Sequence, residues 1–334
     1  MEHIVAVGAG RMGRGIAHVM AYSGFTVTLV DVKDRSVAES QRVREEALAE
    51  ITNNLRSLAS FEVVSDTDVE TIMRRISFAS RDEASAALST ADFVFEGVPE
   101  VMTAKAAVLG LICDACNEGA IIASTTSTFS AETLADYVTN PSRFANAHWL
   151  NPAFLIPIVE VSPTTRTSQD TIDGLLSLLE RAGKMPVQCK ATPGFIIPRI
   201  QALAMNEAAR LVEDGVASAE DIDKATRYGF GVRFAILGLL EFIDYGGGDI
   251  LHYASQYMSS ALDSERHVAP EIIGTMMENN QTGLRDGKGF YDYTNCDVDE
   301  YQKETLRKLV DLLAHMNLIP PPHGASAVSS PRKP

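Results

Sequence analysis

The chain begins MEHIVAVGAGRMGRGIAHVMAYSGFTVTLVD, residues 1–31, and this stretch decides the fold. A run rich in β-branched residues at 3–7 predicts a buried strand, which leads directly into the turn Gly8-Ala9-Gly10-Arg11-Met12-Gly13. Apolar spacing typical of a helix follows, and a second apolar run at 25–30 ends on Asp31. This order of elements indicates a dinucleotide-binding βαβ unit.

Each part of the turn has a physical task. Gly8 allows a tight turn, Gly10 lets the backbone approach a pyrophosphate, and Gly13 lets the helix pack closely on the sheet. The helix that opens there directs free N–H groups and its positive dipole end at the phosphates. Asp31 can accept hydrogen bonds from both adenosine ribose hydroxyls, where a 2′-phosphate would be repelled. The stretch therefore predicts an NAD site.

The rest of the chain changes character once. Further strand runs lie at 76–79, 91–97, 120–124, 145–149, 158–161 and 186–189. They alternate with helical patterns, which predicts a doubly wound, largely parallel sheet. From Phe195 onward only helical periodicity is found, at 200–213, 219–228, 235–243, 251–262 and 301–316. We predict an α/β, Rossmann-type NAD-binding domain at 1–190, an all-helical domain at 191–318 and a disordered Pro- and Ser-rich tail at 319–334.

Composition excludes several classes of protein. The 334 residues are about two domains long, and 46% hydrophobic residues can bury a full core. A net charge of −15 argues against nucleic acid or an anionic membrane as a partner. We find no apolar run long enough to span a bilayer and no signal peptide, so we expect a soluble, cytoplasmic protein.

The four cysteines are too few and too scattered for a disulfide framework. Cys113-Asp-Ala-Cys116 has the spacing of a redox motif, but such a motif lies at the start of a helix. Here the pair falls at the end of a predicted helix and before a strand. We interpret both residues as ordinary helix cysteines.

The stretch ANAHWLNPAFLIPIVEV, residues 145–161, carries the candidate chemistry. His148 follows one apolar strand, and Glu160 lies within the next, where a carboxylate is costly unless it is paired. Oxidation of a secondary alcohol by NAD requires a base to take the hydroxyl proton. A histidine oriented by a carboxylate suits that task near neutral pH. The alternative is a satisfied core histidine beside a structural charge.

The sequence resembles the 3-hydroxyacyl-CoA dehydrogenase family up to about residue 293. The motifs that carry this resemblance stand in order: GAGRMG at 8–13, FEGVPE at 95–100, STTST at 124–128, HWLNP at 148–152, IVEV at 158–161, TPGF at 192–195, NEAARLVEDGVAS at 206–218 and DGKGFYDY at 286–293.

The resemblance implies roles for individual residues. His148 would be the catalytic base and Glu160 its dyad partner, with Ser127 and Asn151 holding the substrate oxygen and the histidine region. The cofactor would contact the turn through Gly8, Gly10, Arg11, Met12 and Gly13, and would also meet Asp31, Glu100 and Lys105. The last two would lie against the nicotinamide half, although Lys105 has the alternative of a solvated helix residue. The helical domain of the family forms most of a homodimer interface.

Three departures leave the substrate open. Pro198 stands where the family usually has an asparagine near the substrate, and it cannot donate a hydrogen bond. The polar N-terminal helices lack the lysine-rich character with which acyl-CoA members meet the nucleotide. The segment 229–238 looks more like the free-acid branches, the gulonate, carnitine and pyridine-carboxylate dehydrogenases. Its Arg233 could bind a carboxylate through two hydrogen bonds, and the alternative is an ion pair at the surface or in a dimer interface.

The leading hypothesis is an NAD-dependent dehydrogenase acting on a short L-3-hydroxyacyl-CoA such as 3-hydroxybutyryl-CoA. The second is the same reaction on a free 3-hydroxy acid held by Arg233. A catalytically silent NAD-binding protein is a third, but such a protein has no need for a buried charge. Dehydrogenases that use a lysine of the helical domain are disfavoured, because residues 191–223 contain no lysine. No metal site is predicted.

Overall fold

The computed structural model describes residues 2–319. They divide into two compact units, the first extending to Met205 and the second starting at Asn206. Met1 and the predicted disordered tail beyond Ile319 lie outside the described residues. The domain boundary at 190/191 stays a prediction.

One eight-stranded sheet forms the first unit, in the order β3-β2-β1-β4-β5-β6-β7-β8. The strands are β1 His3–Val7, β2 Thr26–Val30, β3 Ile76–Ala79, β4 Phe93–Glu96, β5 Ile121–Ser124, β6 Phe144–Trp149, β7 Ile158–Pro163 and β8 Met185–Gln188. All neighbours are parallel except β6 and β7, which are antiparallel. The predicted doubly wound, largely parallel sheet is confirmed.

Helices cover both faces of this sheet. They are α1 Arg11–Tyr22, α2 Val37–Ser60, α3 Asp66–Met73, α4 Ala84–Leu88, α5 Met102–Ala115, α6 Ala131–Ala135, α7 Gln169–Arg181 and α8 Ile197–Glu213, the last crossing into the second unit. Strand β1 shows why its sequence is a continuous apolar run. Ile4 and Ala6 face one core cluster, and Val5 and Val7 face the other.

The second unit contains helices and no named strand within the described residues. These helices are α9 Ala219–Ala225, α10 Val232–Phe234, α11 Leu239–Gly246, α12 Gly248–Ala261, α13 Glu271–Glu278 and α14 Val298–His315. In the part of the chain that the structure describes, no helix is long and apolar enough to cross a membrane. The expected change from α/β to helical structure is confirmed.

Two predicted helices of this unit were wrong in detail. The predicted helix 219–228 ends as an α-helix at Ala225 and continues as a π-helical segment, Thr226–Gly231. The predicted helix 235–243 begins four residues late, as α11 Leu239–Gly246, because the non-helical residues 235–238 separate α10 from α11. Apolar spacing continues through this segment, so periodicity alone could not show the break.

Asp244 in α11 organises the chain before α14. Its side chain is buried and accepts hydrogen bonds from the N–H groups of Phe290 and Tyr291, at 3.0 and 2.9 Å, and from the Tyr293 hydroxyl at 3.3 Å. A Cβ added at Gly289 would lie 2.1 Å from its carboxylate oxygen Oδ1. The glycine of the GFYDY motif is therefore required by the close approach of a buried acid.

Asp244→Asn should lower the free energy of unfolding by about 1–3 kcal/mol, because an amide nitrogen would face one of these donors. Urea unfolding followed by circular dichroism measures this change. Asp223→Asn, at an exposed aspartate of α9, is the matched control and should change stability little. Equal stabilities of the two variants would contradict the organising role of Asp244.

Candidate active site

The glycine turn between β1 and α1 has the geometry that its sequence predicts. Gly8 has φ of +110°, and a Cβ there would lie 2.8 Å from the carbonyl oxygen of Gly97. A Cβ at Gly13 would lie 1.9 Å from the carbonyl oxygen of Gly8. Gly10, by contrast, faces open space at the start of α1. The turn is thus tightly packed at Gly8 and Gly13 and open at Gly10, which leaves room for a pyrophosphate beside Gly10.

A cavity of about 750 Å³ lies over this turn. It sits where the strand order reverses, since β1 lies between β2 and β4. In open α/β sheets, ligands bind at such a switch point. Of the predicted cofactor residues, Gly8, Gly10, Arg11 and Asp31 line the cavity, whereas Met12, Gly13, Glu100 and Lys105 are not among its lining residues. The open backbone and the acid at Asp31 fit a dinucleotide.

Asp31 lies just after β2 and is buried. Arg35 Nε donates to its Oδ2 at 2.5 Å, and the Lys33 N–H approaches Oδ1 at 3.4 Å. The pair with Arg35 holds the carboxylate in place at the edge of the cavity. Sequence reasoning identified Asp31 but missed its pairing with Arg35. A basic residue four positions after the acid was a signal for such a pair.

Lys105 is fully buried in the first turn of α5, so the alternative of a solvated helix residue is wrong. Its Nζ donates to both oxygens of Glu96, at 3.0 and 3.1 Å, and lies 3.4 Å from Glu100 Oε2. Glu96, also fully buried, accepts hydrogen bonds from the Ser124 hydroxyl and the Val98 N–H. Sequence reasoning missed Glu96, although an acid ending the apolar run ADFVFEG was a signal.

Glu100 binds the STTST loop. Its Oε1 accepts hydrogen bonds from the hydroxyls of Thr126 and Thr128 and from the N–H groups of Ser127 and Thr128. Burial alone would raise the pKa of Glu100, but these hydrogen bonds and the charge of Lys105 together lower it to about 2. The loop is therefore held by an ionised carboxylate, and it presents the exposed side chain of Ser127.

His148 and Glu160 are brought together by the antiparallel pair β6 and β7, in which they stand directly opposite each other. The distance from His148 Nδ1 to Glu160 Oε2 is 2.7 Å, and both side chains are buried. No hydrogen bond to the other ring nitrogen, Nε2, is found among residues 2–319. The carboxylate orients the ring with Nε2 available to an incoming hydroxyl.

The second oxygen of Glu160 binds the start of α8. Its Oε1 accepts hydrogen bonds from the backbone N–H groups of Ile196 and Ile197, both at 2.8 Å. The ring of Phe195, with φ of +41°, stacks on His148 at 5.4 Å between centroids. Sequence reasoning missed these contacts. Pro198 is the second residue of α8, a position where its missing N–H is tolerated.

Asn151 lies on the loop after β6 and is exposed. It lines a second cavity, of about 220 Å³, together with Arg11 and Arg14. Arg14 pairs with Glu50 at 2.6 Å, and both arginines also line the larger cavity. The two cavities therefore adjoin at the start of α1.

Arg233 belongs to α10 in the second unit and is exposed. Its Nε donates to the carbonyl oxygen of Gly229 at 2.7 Å, and its guanidinium lies 5.1 Å from the centre of the Phe242 ring. Within the described residues, its two terminal nitrogens make no ion pair or hydrogen bond. They are free to bind a carboxylate.

Cys113 lies in the last turn of α5, and Cys116 is the residue that caps the helix. Both are free thiols and half-buried. Burial, with a smaller contribution from Cys113, raises the pKa of the Cys116 thiol, which disfavours the reactive thiolate. This agrees with two ordinary helix cysteines.

Residues 3–192 match the family described as 3-hydroxyacyl-CoA dehydrogenase, NAD binding domain, and residues 194–293 match the 3-hydroxyacyl-CoA dehydrogenase C-terminal domain. The chain is 36% identical over 295 residues to the mitochondrial hydroxyacyl-coenzyme A dehydrogenase of Sus scrofa, covering 88% of this chain and 91% of that protein. It is 30% identical over 311 residues to 5-formyl-3-hydroxy-2-methylpyridine 4-carboxylate 5-dehydrogenase of Mesorhizobium japonicum, covering 93% and 96%.

Among solved structures, the 3-hydroxyacyl-CoA dehydrogenase of Archaeoglobus fulgidus is similar with a TM-score of 0.76 and 29% identity, over 96% of this chain and all of that one. The fold and the cavity are those of a dinucleotide-binding protein. The chain belongs to the 3-hydroxyacyl-CoA dehydrogenase family, and its cofactor is NAD. The resemblance found in the sequence is confirmed.

Asp31→Ala should weaken NAD binding by about tenfold to a hundredfold, because charge-assisted hydrogen bonds to the ribose are lost. It should also relax discrimination against NADP. Cofactor titration by fluorescence measures both constants. Asp34→Ala, at an exposed aspartate three residues away, is the control and should bind NAD as the native protein does. Unchanged selectivity in Asp31→Ala would contradict the ribose contact.

Proposed function

We propose that the protein oxidises the 3-hydroxyl of a short L-3-hydroxyacyl-CoA, such as 3-hydroxybutyryl-CoA, to the 3-keto form. The observation that carries this proposal is the buried His148–Glu160 pair in the unit that holds the cofactor cavity. The relatives named for the same chemistry support the reaction class.

His148 acts as the base in this reaction. Its Nε2 takes the proton of the substrate hydroxyl, and Nδ1 stays hydrogen-bonded to Glu160, whose charge stabilises the imidazolium that forms. Bound NAD supplies the acceptor for the hydride that leaves the same carbon. The stacked Phe195 covers one face of the imidazole and limits its contact with water.

Ser127 and Asn151 hold the substrate oxygen in this proposal. Ser127 is presented by the loop that Glu100 binds, and Asn151 follows His148 by three residues. In the same proposal Glu100 and Lys105, whose Oε2 and Nζ atoms lie 3.4 Å apart, contact the nicotinamide half of the cofactor. We further propose a homodimer formed through the helical domain, whose α12 exposes Tyr253 and Tyr257, and action in the cytoplasm.

A free 3-hydroxy acid is the second candidate substrate. The unpaired terminal nitrogens of Arg233 favour it, because a planar guanidinium can bind a carboxylate through two hydrogen bonds. The relative from Mesorhizobium japonicum, named for a pyridine carboxylate, supports this alternative. A catalytically silent protein is disfavoured. The buried carboxylate of Glu160 has hydrogen-bond partners on both oxygens, and one of them is His148, whose Nε2 stays available for catalysis.

His148→Gln should lower kcat at least about a hundredfold, because general-base catalysis contributes about 10²–10⁴. The NAD dissociation constant should stay nearly unchanged. NADH absorbance with saturating substrate measures the loss, and His315→Gln, at an exposed histidine ending α14, is the control. Turnover near that of the native protein would remove His148 from the mechanism.

The substrate is tested by NADH formation on 3-hydroxybutyryl-CoA beside free 3-hydroxybutyrate, gulonate and carnitine. We expect turnover of the thioester, with a KM that rises with salt because coenzyme A carries several phosphate charges. Any turnover of a free acid should fall at least about tenfold in Arg233→Ala and not in Arg227→Ala. If the protein turns over a free acid and not the thioester, the free 3-hydroxy acid replaces the acyl-CoA as the proposed substrate.

A further inference from the structure

Lys184, at the turn between α7 and β8, is buried, and among residues 2–319 it forms no ion pair with a carboxylate. Its Nζ donates to the carbonyl oxygens of Ala153, at 2.5 Å, and Ile156, at 2.9 Å. The same nitrogen lies 5.7 Å from the centre of the Trp149 ring. The two carbonyl groups use two of the three ammonium donors, and the charge lies within cation–π distance of the Trp149 ring.

These contacts bracket one segment of chain. Trp149 directly follows the proposed base His148, and Ala153 and Ile156 follow Asn151. Lys184 thus touches both the beginning and the end of the loop that carries Asn151. Burial of a charged amine is costly and lowers the pKa of Lys184, so its carbonyl partners are needed to keep it there.

The opposite side of the loop packs on α1, the helix that begins at the cofactor turn. A Cβ added at Gly15 would lie 2.9 Å from Ala153 Cβ. The ring of His18 stacks on Phe154 at 4.8 Å, and burial, with a smaller contribution from Lys184, lowers the pKa of His18 to about 4. His18 is therefore neutral near pH 7 and packs as an apolar ring. The loop is clamped between this helix and Lys184.

We propose that Lys184 is a positioning residue, which holds the loop 149–156 against α1 and so places the Asn151 side chain at the substrate. This inference rests on the role proposed above for Asn151. Lys184 itself lines neither of the two cavities, and it acts through its bonds to the carbonyl groups of Ala153 and Ile156. A displacement of about 1 Å at a reacting group can lower the rate about a hundredfold. The gain in rate from holding the loop in place can therefore outweigh the loss of stability from burying the Lys184 ammonium.

A double-mutant cycle tests this coupling. Lys184→Met, which keeps an unbranched apolar side chain as far as Cε and removes the ammonium with its donors, should lower kcat on the thioester by about tenfold to a hundredfold. The NAD dissociation constant should stay within about twofold. In an Asn151→Ala background the same change should cost less than about threefold, because the group being positioned is already gone. Lys190→Met, at an exposed lysine six residues later, is the control.

Equal losses in the two backgrounds would overturn the proposal, since a general loss of stability lowers activity in both. Activity of Lys184→Met equal to that of the native protein would overturn it as well. If Asn151→Ala alone keeps full activity, the role proposed for Asn151 fails. Whether Lys184 restrains the loop 149–156 is then tested separately, by amide hydrogen exchange measured by mass spectrometry.

In Lys184→Met, amide exchange should rise at least about tenfold at Leu155 and Ile156, whose N–H groups bind the Pro152 carbonyl oxygen. Peptides from β1 and β4 should not change. Lys184→Gln, whose shorter side chain keeps an amide NH₂ as donor group and loses the charge, should give intermediate exchange and serves if the methionine variant does not fold. Unchanged exchange in a folded variant would overturn the clamp itself.

Discussion

The carboxylate of Glu160 is a charge placed inside a sheet, and the arrangement of the candidate active site depends on keeping it paired. One oxygen binds His148 across the antiparallel strands, and the other collects two N–H groups at the start of α8. An unpaired buried charge costs several kcal/mol, so Glu160 must keep all of its partners. This requirement constrains the register of β6 and β7, the orientation of His148 and the path of the chain after β8. The single antiparallel pair of the sheet places the two side chains opposite each other.

A second buried charge system serves the other side of the site. Lys105 and Glu96 are fully buried, and Glu100 extends their network to the STTST loop. This network joins the ends of β4 and β5 to the first turn of α5. Loops at the carboxyl ends of parallel strands are free to vary, so a site built on them needs such fixed supports. The same reasoning applies to Lys184, whose ammonium supports the loop after β6.

Much of the fold could be predicted from the sequence because its signals are local. The glycine turn with its flanking apolar runs indicated β1, α1 and β2, and continuous apolar runs indicated buried parallel strands. The helical unit was predicted less well, since apolar spacing ran through Ala235–Gly238, where the helix breaks. His148 and Glu160 were paired on the sequence by the cost of a carboxylate in an apolar run, whereas Glu96 was passed over in a similar context.

By itself the sequence determined the order of strands and helices, the NAD turn and the residue types available for hydride chemistry, because these follow from short-range pattern and backbone freedom. Tertiary structure alone decided which groups meet. Backbone N–H groups at 196 and 197 have no sequence signature as carboxylate donors, and the Lys184 amine reaches carbonyl groups some thirty residues before it in the chain. Such contacts depend on strand register and on the packing of α1, which are set by the whole core rather than by any neighbouring residue.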